Sequence, residues 1–118
     1  MNAATAGGVL GAEPTVRVTH PANKADATCV FEAPHAQLTI EVATGAYNLL
    51  LKQCGDQRTA VNAIGNEAVE CPSAHEEIVV GRVRDRGFLV RLRASEFPKD
   101  ALRKRALHTA EQVAGILF

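Results

Sequence analysis

The sequence predicts an α+β fold in which an antiparallel β-sheet of about six or seven strands packs against two or three helices, with the C-terminal helix across the sheet. Three patterns indicate this class. Residues 37–43 alternate apolar and polar side chains, which is typical of a strand with one buried face. Residues 77–83 and 88–93 read as two strands joined by a tight turn. Residues 98–117 carry apolar side chains at helical spacing.

The first third of the chain predicts a short helix followed by strands. Residues 3–10 are rich in alanine and precede a glycine and a proline, a pattern that ends helices. Residues 15–20 alternate, so we expect a strand with Val16 and Val18 facing inward. Residues 28–32 predict the next strand, and the segment between the two strands is turn material.

The middle of the chain predicts one helix and two short strands. Thr44 is a candidate cap for a helix over residues 45–54, whose apolar side chains follow helical spacing, and Gly55 would end it. Residues 60–65 and 67–71 read as two strands around a Gly-Asn turn.

The last third predicts a hairpin and the final helix. We expect residues 85–87 to form a three-residue loop with Gly87 in the left-handed conformation. Pro98 suits the first turn of the helix, and Asp100 is favourable near the positive end of the helix dipole. The expected buried stripe of this helix is Leu102, Ala106, Ala110, Val113 and Leu117.

Size and charge restrict the classes of protein. The chain has 118 residues, 13 basic and 13 acidic side chains, and a formal net charge of zero. We expect one α+β domain over residues 1–118. No apolar run approaches the roughly 20 residues of a membrane helix, so we expect no membrane span in this chain. The charge balance argues against nucleic acid as a partner.

The N-terminal sequence bears on the compartment. Residues 1–8 have neither the basic nor the apolar region of a signal peptide, and small residues run directly into residues 11–14. We therefore expect an export segment to have been removed upstream. A full-length cytosolic protein is the alternative.

The three cysteines, Cys29, Cys54 and Cys71, leave one thiol over if two of them pair. We rank the Cys54–Cys71 disulfide first, because both residues lie near predicted loops whereas Cys29 lies within a predicted strand. Pairing of Cys29 with either of the others stays open. A disulfide would indicate an oxidising compartment.

Catalytic motifs are weak or missing from the sequence. There is no G-x-S-x-G nucleophile motif and no glycine-rich phosphate loop between a strand and a helix. Cys71 and His75 form one loose pair of candidate metal ligands, where a structural zinc site has two tight pairs. We expect no catalytic residue, metal or cofactor. The alternative is a small thiol- or metal-dependent enzyme that uses Cys29, Cys71 and His75.

Positive charge concentrates near the hairpin, since residues 82–105 contain nine basic and three acidic side chains. Period-two geometry turns Arg82, Arg84, Arg91 and Arg93 away from the core-facing residues of the hairpin. These four arginines are the candidate surface for an anion or an acidic partner. The alternative is a solvated sheet face, because no aromatic side chain lies among them to stack on a base.

Short motifs run along most of the chain: Cys29-Val30-Phe31 in a strand, the turn Gly65-Asn66-Glu67-Ala68, and the closing hairpin and helix. Together they resemble small exported or lipid-anchored bacterial domains of unknown function. Ala63 stands where the first glycine of that turn often lies in such domains. The resemblance implies a sheet with helices on its faces, comparable with the PsbP-like fold. It also implies a periplasmic or cell-envelope location, with a lipid anchor possible upstream, and a binding or accessory role.

These observations together predict a non-enzymatic module of the cell envelope. Its expected partner is an envelope protein or a small ligand, held in a groove between sheet and helix or on the arginine surface.

Overall fold

The computed structural model describes residues 8, 10, 15–19 and 26–118, which form a seven-stranded antiparallel sheet with helices on both faces. The strands are β1 (Thr15–Thr19), β2 (Ala27–Ala33), β3 (Ala36–Thr44), β4 (Thr59–Ala60), β5 (Glu67–Pro72), β6 (Glu76–Val83) and β7 (Arg86–Ala94). The helices are α1 (Tyr47–Leu51), a 3-10 helix that continues it (Lys52–Cys54), and α2 (Lys99–Leu117). The predicted α+β class is confirmed, as is the position of the C-terminal helix across the sheet.

The last strand in the chain, β7, is the central strand of the sheet. The strand order is β1-β2-β3-β7-β6-β5-β4. The first three strands form one antiparallel meander, and β4, β5 and β6 form a second. β7 joins them by pairing with β3 on one side and β6 on the other, so that Val90 lies between Ile40 and Val79.

The sheet face under α2 carries the larger hydrophobic core. Its buried side chains include Phe31, Leu38, Ile40, Phe88, Val90 and Leu92 from the strands and Leu102, Ala106, Ala110 and Val113 from the helix. Full burial of one Leu or Phe side chain contributes roughly 1.5–3 kcal/mol. The predicted inward face of residues 37–43 and the predicted apolar stripe of the helix are both confirmed.

The opposite face carries a smaller core beneath α1 and the 3-10 helix. It consists of Leu50, Cys54, Cys71, Ile78, Val80 and Leu89. A five-residue helix is too short to be stable in isolation, so this packing is what holds α1 in place. Within the described ranges, no helix is long and apolar enough to cross a membrane.

Two predicted features in the middle of the chain are wrong. Thr44 is not a helix cap, because it pairs with Arg86 as the last residue of β3, and no side chain caps α1. The strand predicted over residues 60–65 is reduced to the two-residue β4. Ala63 and Gly65 both have positive φ angles, which turn the chain instead of extending it.

Gly87 is required for a different reason from the predicted one. A two-residue turn of Arg84 and Asp85 joins β6 to β7, and the positive φ of +56° belongs to Arg84. Gly87 lies within β7, where a Cβ atom would be 2.7 Å from the backbone nitrogen of Tyr47. The glycine therefore allows α1 to begin directly against the sheet.

The predicted N-terminal helix lies largely outside the described part of the chain, and the first predicted strand lies mostly within it. Of the helix predicted over residues 3–10, only Gly8 and Leu10 are described, and both are helical. The strand predicted over residues 15–20 is present as β1. The side chains of Val16 and Val18 are not among those described.

If Gly87 is required for close packing and Arg84 is the residue with the positive φ angle, substitutions at these two positions should have different effects on stability. We expect Gly87→Ala to lower the free energy of unfolding by about 2 kcal/mol, because the new methyl group meets backbone atoms that cannot rotate away. Arg84→Gly is the matched control and should leave stability unchanged or raise it, because glycine tolerates a positive φ. Urea unfolding followed by circular dichroism measures both. A tolerated Gly87→Ala together with a destabilising Arg84→Gly would contradict this assignment.

Candidate functional site

The structure joins Cys54 to Cys71, which is the pairing that the sequence analysis ranked first. Their Cα atoms are 5.4 Å apart, and both residues are buried. The bond connects the end of the 3-10 helix to β5, so it fastens the short helical segment to the sheet.

Cys29, Cys71 and His75 do not come together. Cys29 is a free, half-buried thiol on β2 and packs against the core under α2, whereas Cys71 belongs to the core on the opposite face. Three strands separate β2 from β5. His75 lies exposed in the turn between β5 and β6. Among the residues that the structure describes, no group of three or more His, Cys, Asp or Glu side chains is arranged to hold a metal ion.

The four predicted arginines separate into two groups. Arg82 lies near the β6–β7 turn, where its Nε is 3.2 Å from Glu67 Oε1 and its Nη1 donates to the carbonyl oxygen of Arg84. Arg91 and Arg93 lie toward the other end of β7. Buried Val80 and Leu89, which pair with each other beneath α1, lie between the two groups.

Arg91 and Arg93 flank one carboxylate. Arg93 Nε donates to Glu76 Oε2, and Arg91 Nε lies 3.8 Å from the same oxygen. Arg91 also donates to Gln53 Oε1 at 2.7 Å, which links it to the 3-10 helix. The side chain of Arg93 is 60% exposed and that of Arg91 is 23% exposed. Arg93 is therefore the member of this pair that an external molecule can reach.

Arg93 lies in a groove of about 710 Å³ at the end of the sheet where three distant segments meet. The segments are residues 32–37 around the β2–β3 turn, residues 73–76 around the β5–β6 turn, and residues 93–95 at the end of β7. Four alanines provide its apolar lining: Ala33, Ala36, Ala74 and Ala94. Charged and polar side chains, including both turn histidines, line the rest.

Backbone hydrogen bonds fix the walls of this groove to β7. The backbone nitrogen of Ala94 donates to the carbonyl oxygen of His75 at 3.1 Å, and that of Ser95 donates to the carbonyl oxygen of His35 at 3.3 Å. Ser73 closes the β5–β6 turn by donating through its backbone nitrogen to the carbonyl oxygen of Glu76 at 2.9 Å. The groove is therefore built by bonded turns, which keeps its shape defined before a ligand arrives.

A buried carboxylate pair is the second unusual feature. Glu70 on β5 and Glu77 on β6 are 6% and 1% exposed, on the sheet face that α2 covers. Arg103 Nε of α2 donates to both oxygens of Glu70 at 3.0 Å. Glu77 Oε1 is buried without a hydrogen-bond partner among the described residues.

The environment of Glu77 favours its neutral form. Burial, a hydrogen bond with Glu70 and the charge of Glu70 together raise the pKa of Glu77 from its ordinary 4.5 to about 7, and burial is the largest of these causes. Arg103 and Lys99 on α2 act in the opposite direction on this pKa, but more weakly. The burial of Glu77 could have been predicted from the sequence. In β6 it is two residues from Val79 and six from Val83, so it faces the same side of the sheet as these inward-facing residues.

Comparison of the chain with protein-family models, with curated proteins and with solved structures finds no match. The resemblance to exported bacterial domains therefore stays a prediction.

Proposed function

We propose that this protein is a non-enzymatic binding module of the bacterial cell envelope, and that the groove at the end of the sheet is its contact site. The observation that carries the proposal is the groove itself. Its volume of about 710 Å³ falls within the range of roughly 300–1,000 Å³ that is usual for ligand pockets. Its alanines supply apolar surface and its charged and polar side chains supply hydrogen-bonding groups, and ligand sites combine these two kinds of contact.

The disulfide supports the proposed location. Disulfides persist in oxidising compartments such as the periplasm and are rare in the cytosol. Cys54 and Cys71 are both buried, and their bond holds α1 on the sheet. A structural role of this kind is typical of exported proteins.

The thiol- or metal-dependent alternative receives no such support. Cys71 is bonded to Cys54 and is therefore not a nucleophile or a thiolate ligand. Cys29 lies on the other face of the sheet and is not near His75 in the strand order.

Filling the groove tests the proposal. We expect Ala74→Trp, at an exposed turn position in the groove, to abolish the binding of small ligands without unfolding the protein. Asn48→Trp is the matched control, because residue 48 is exposed on α1 and outside the groove. The measurement is saturation-transfer NMR with a panel of small organic acids, amides, sugars and short peptides.

The expected pattern is that at least one compound binds the wild type and the Asn48→Trp protein but not the Ala74→Trp protein. A panel in which every bound compound also binds the Ala74→Trp protein would overturn the groove as the contact site. Circular dichroism of both variants checks that the fold is kept.

A further inference from the structure

The acidic side chains of the groove already have cationic partners within the protein. Glu32 accepts a hydrogen bond from Arg17. Glu76 accepts one from Arg93 and has Arg91 as a second cation close by. A cationic ligand would have to displace these partners, so the groove is poorly suited to bind one.

The groove also contains hydrogen-bond donors that are still available. A guanidinium has five N–H groups, and Arg93 directs only its Nε at Glu76. Its two terminal nitrogens have no partner in the part of the chain that the structure describes. His75 is also exposed in the wall of the groove and makes no side-chain hydrogen bond to a described residue.

The net charge around Arg93 favours a singly charged anion over a doubly charged one. Arg91 and Arg93 with Glu76 between them carry a net charge of +1. A singly charged anion balances this group. A doubly charged phosphate would leave excess negative charge beside Glu32 and Glu76, so the arrangement favours a carboxylate.

The alanines of the groove indicate the chemistry of the uncharged part of the ligand. Ala33 and Ala36, which are half-buried, and the exposed Ala74 present methyl groups in the groove, whereas Ala94 is buried in the core under α2. Methyl groups offer contact to a hydrocarbon chain or to small apolar side chains, and no hydrogen bond. A suitable ligand therefore combines an anionic end with an apolar portion.

We propose that the groove binds a carboxylate attached to a short apolar chain, with the terminal nitrogens of Arg93 as the anion contact. Two parallel N–H···O bonds from a guanidinium match the two oxygens of a carboxylate. This inference rests on the proposed function and specifies its ligand class.

Acid and amide analogues test the carboxylate directly. We expect hexanoate to bind at least tenfold more tightly than hexanamide, because a hydrogen bond to an ionised group is stronger than one to a neutral group. Chemical-shift changes in two-dimensional ¹H–¹⁵N NMR titrations measure both affinities. Arg93→Gln should remove the preference for the acid.

Arg82→Gln is the matched control. Arg82 is also paired with one glutamate on a neighbouring strand of the same sheet face, but it lies at the far end of the sheet from the groove. We expect its substitution to change the affinity for hexanoate by less than about twofold. Salt should weaken the binding of hexanoate but not that of hexanamide.

A second pair of probes distinguishes the source of the carboxylate. N-acetyl-dialanine and its amide represent a peptide C-terminus, whereas hexanoate represents a free aliphatic acid. The acid that binds more tightly identifies the source, and a preference for either acid over its amide supports the inference.

Equal binding of acid and amide in both pairs, an unchanged affinity of Arg93→Gln for the preferred acid, or no binding of either acid would overturn the carboxylate assignment. In each of these cases, a panel compound excluded by Ala74→Trp would still support the groove as a binding site. The two proposals therefore fail separately.

Discussion

Raising the pH from about 4.5 to about 7 should lower the free energy of unfolding by about 3 kcal/mol through Glu77 alone. The pKa of Glu77 is about 7 in the folded protein and near 4.5 in the unfolded chain. Between these values the unfolded state loses the proton while the folded state keeps it. Stability therefore falls with pH across this window, and the contribution becomes constant above about pH 8.

The groups that face Glu77 explain why it stays neutral. Glu70 on β5 supplies a second carboxyl, and Arg103 and Lys99 on α2 are the cations that act on Glu77 among the described residues. Arg103 is engaged by both oxygens of Glu70. Ionised Glu77 would thus be a second buried negative charge with one oxygen lacking a partner, which is unfavourable.

Glu77→Gln isolates this contribution. Glutamine has the same shape and no charge, so the variant should match the wild type near pH 4 and exceed its stability by about 3 kcal/mol at pH 8. Urea unfolding at intervals from pH 4 to pH 9 provides the measurement. Glu111→Gln, at an exposed carboxylate on α2, is the control and should keep the wild-type pH profile. A Glu77→Gln protein that follows the wild type at every pH would contradict the assignment.

Loss of the disulfide should lower stability by about 3 kcal/mol. The bond closes a loop with a sequence separation of 17, for which the loss of chain entropy in the unfolded state gives about this value. Urea unfolding of the double variant Cys54→Ala/Cys71→Ala, compared with the wild type, measures it. Because the disulfide lies beneath α1 and outside the residues that line the groove, we expect ligand binding to survive.

Thiol counting is the control for this second prediction. The unreduced protein, denatured after export to an oxidising compartment, should show one reactive thiol, that of Cys29. After reduction it should show three. Three thiols before reduction, or a double variant as stable as the wild type, would contradict the structural role of the bond.

The sequence predicts a strand correctly where apolar and polar residues alternate along consecutive positions. Leu38, Ile40 and Val42 alternate with polar residues, and the structure packs all three against the core under α2. The same pattern is misleading for residues 60–65, because their apolar side chains suggest a strand whereas the positive φ angles of Ala63 and Gly65 turn the chain. Gly87 was misassigned for a similar reason, since the nearby Tyr47 backbone comes from a distant segment.

The groove could not be predicted from local patterns. Its walls are turns near residues 35, 75 and 94, and only the register of β7 between β3 and β6 brings them together. Arg93 is predicted from strand parity alone, and its separation from Arg82 follows from the register of the hairpin, in which Arg82 pairs with Gly87 beside the turn and Arg93 pairs with Glu76 at the other end. The burial of Glu77, by contrast, follows from a local pattern, because Glu77 alternates in step with Val79 and Val83 along β6.

The central position of the final strand has a consequence for the order of folding. Thr44 pairs with Arg86 and Ala36 with Ala94, so the two residues of each pair are separated by 42 and 58 positions in the chain. The two meanders stay unjoined until the chain has been made as far as residue 94. We therefore expect assembly of the sheet to be a late, all-or-none event, slower than in a domain built from neighbouring contacts.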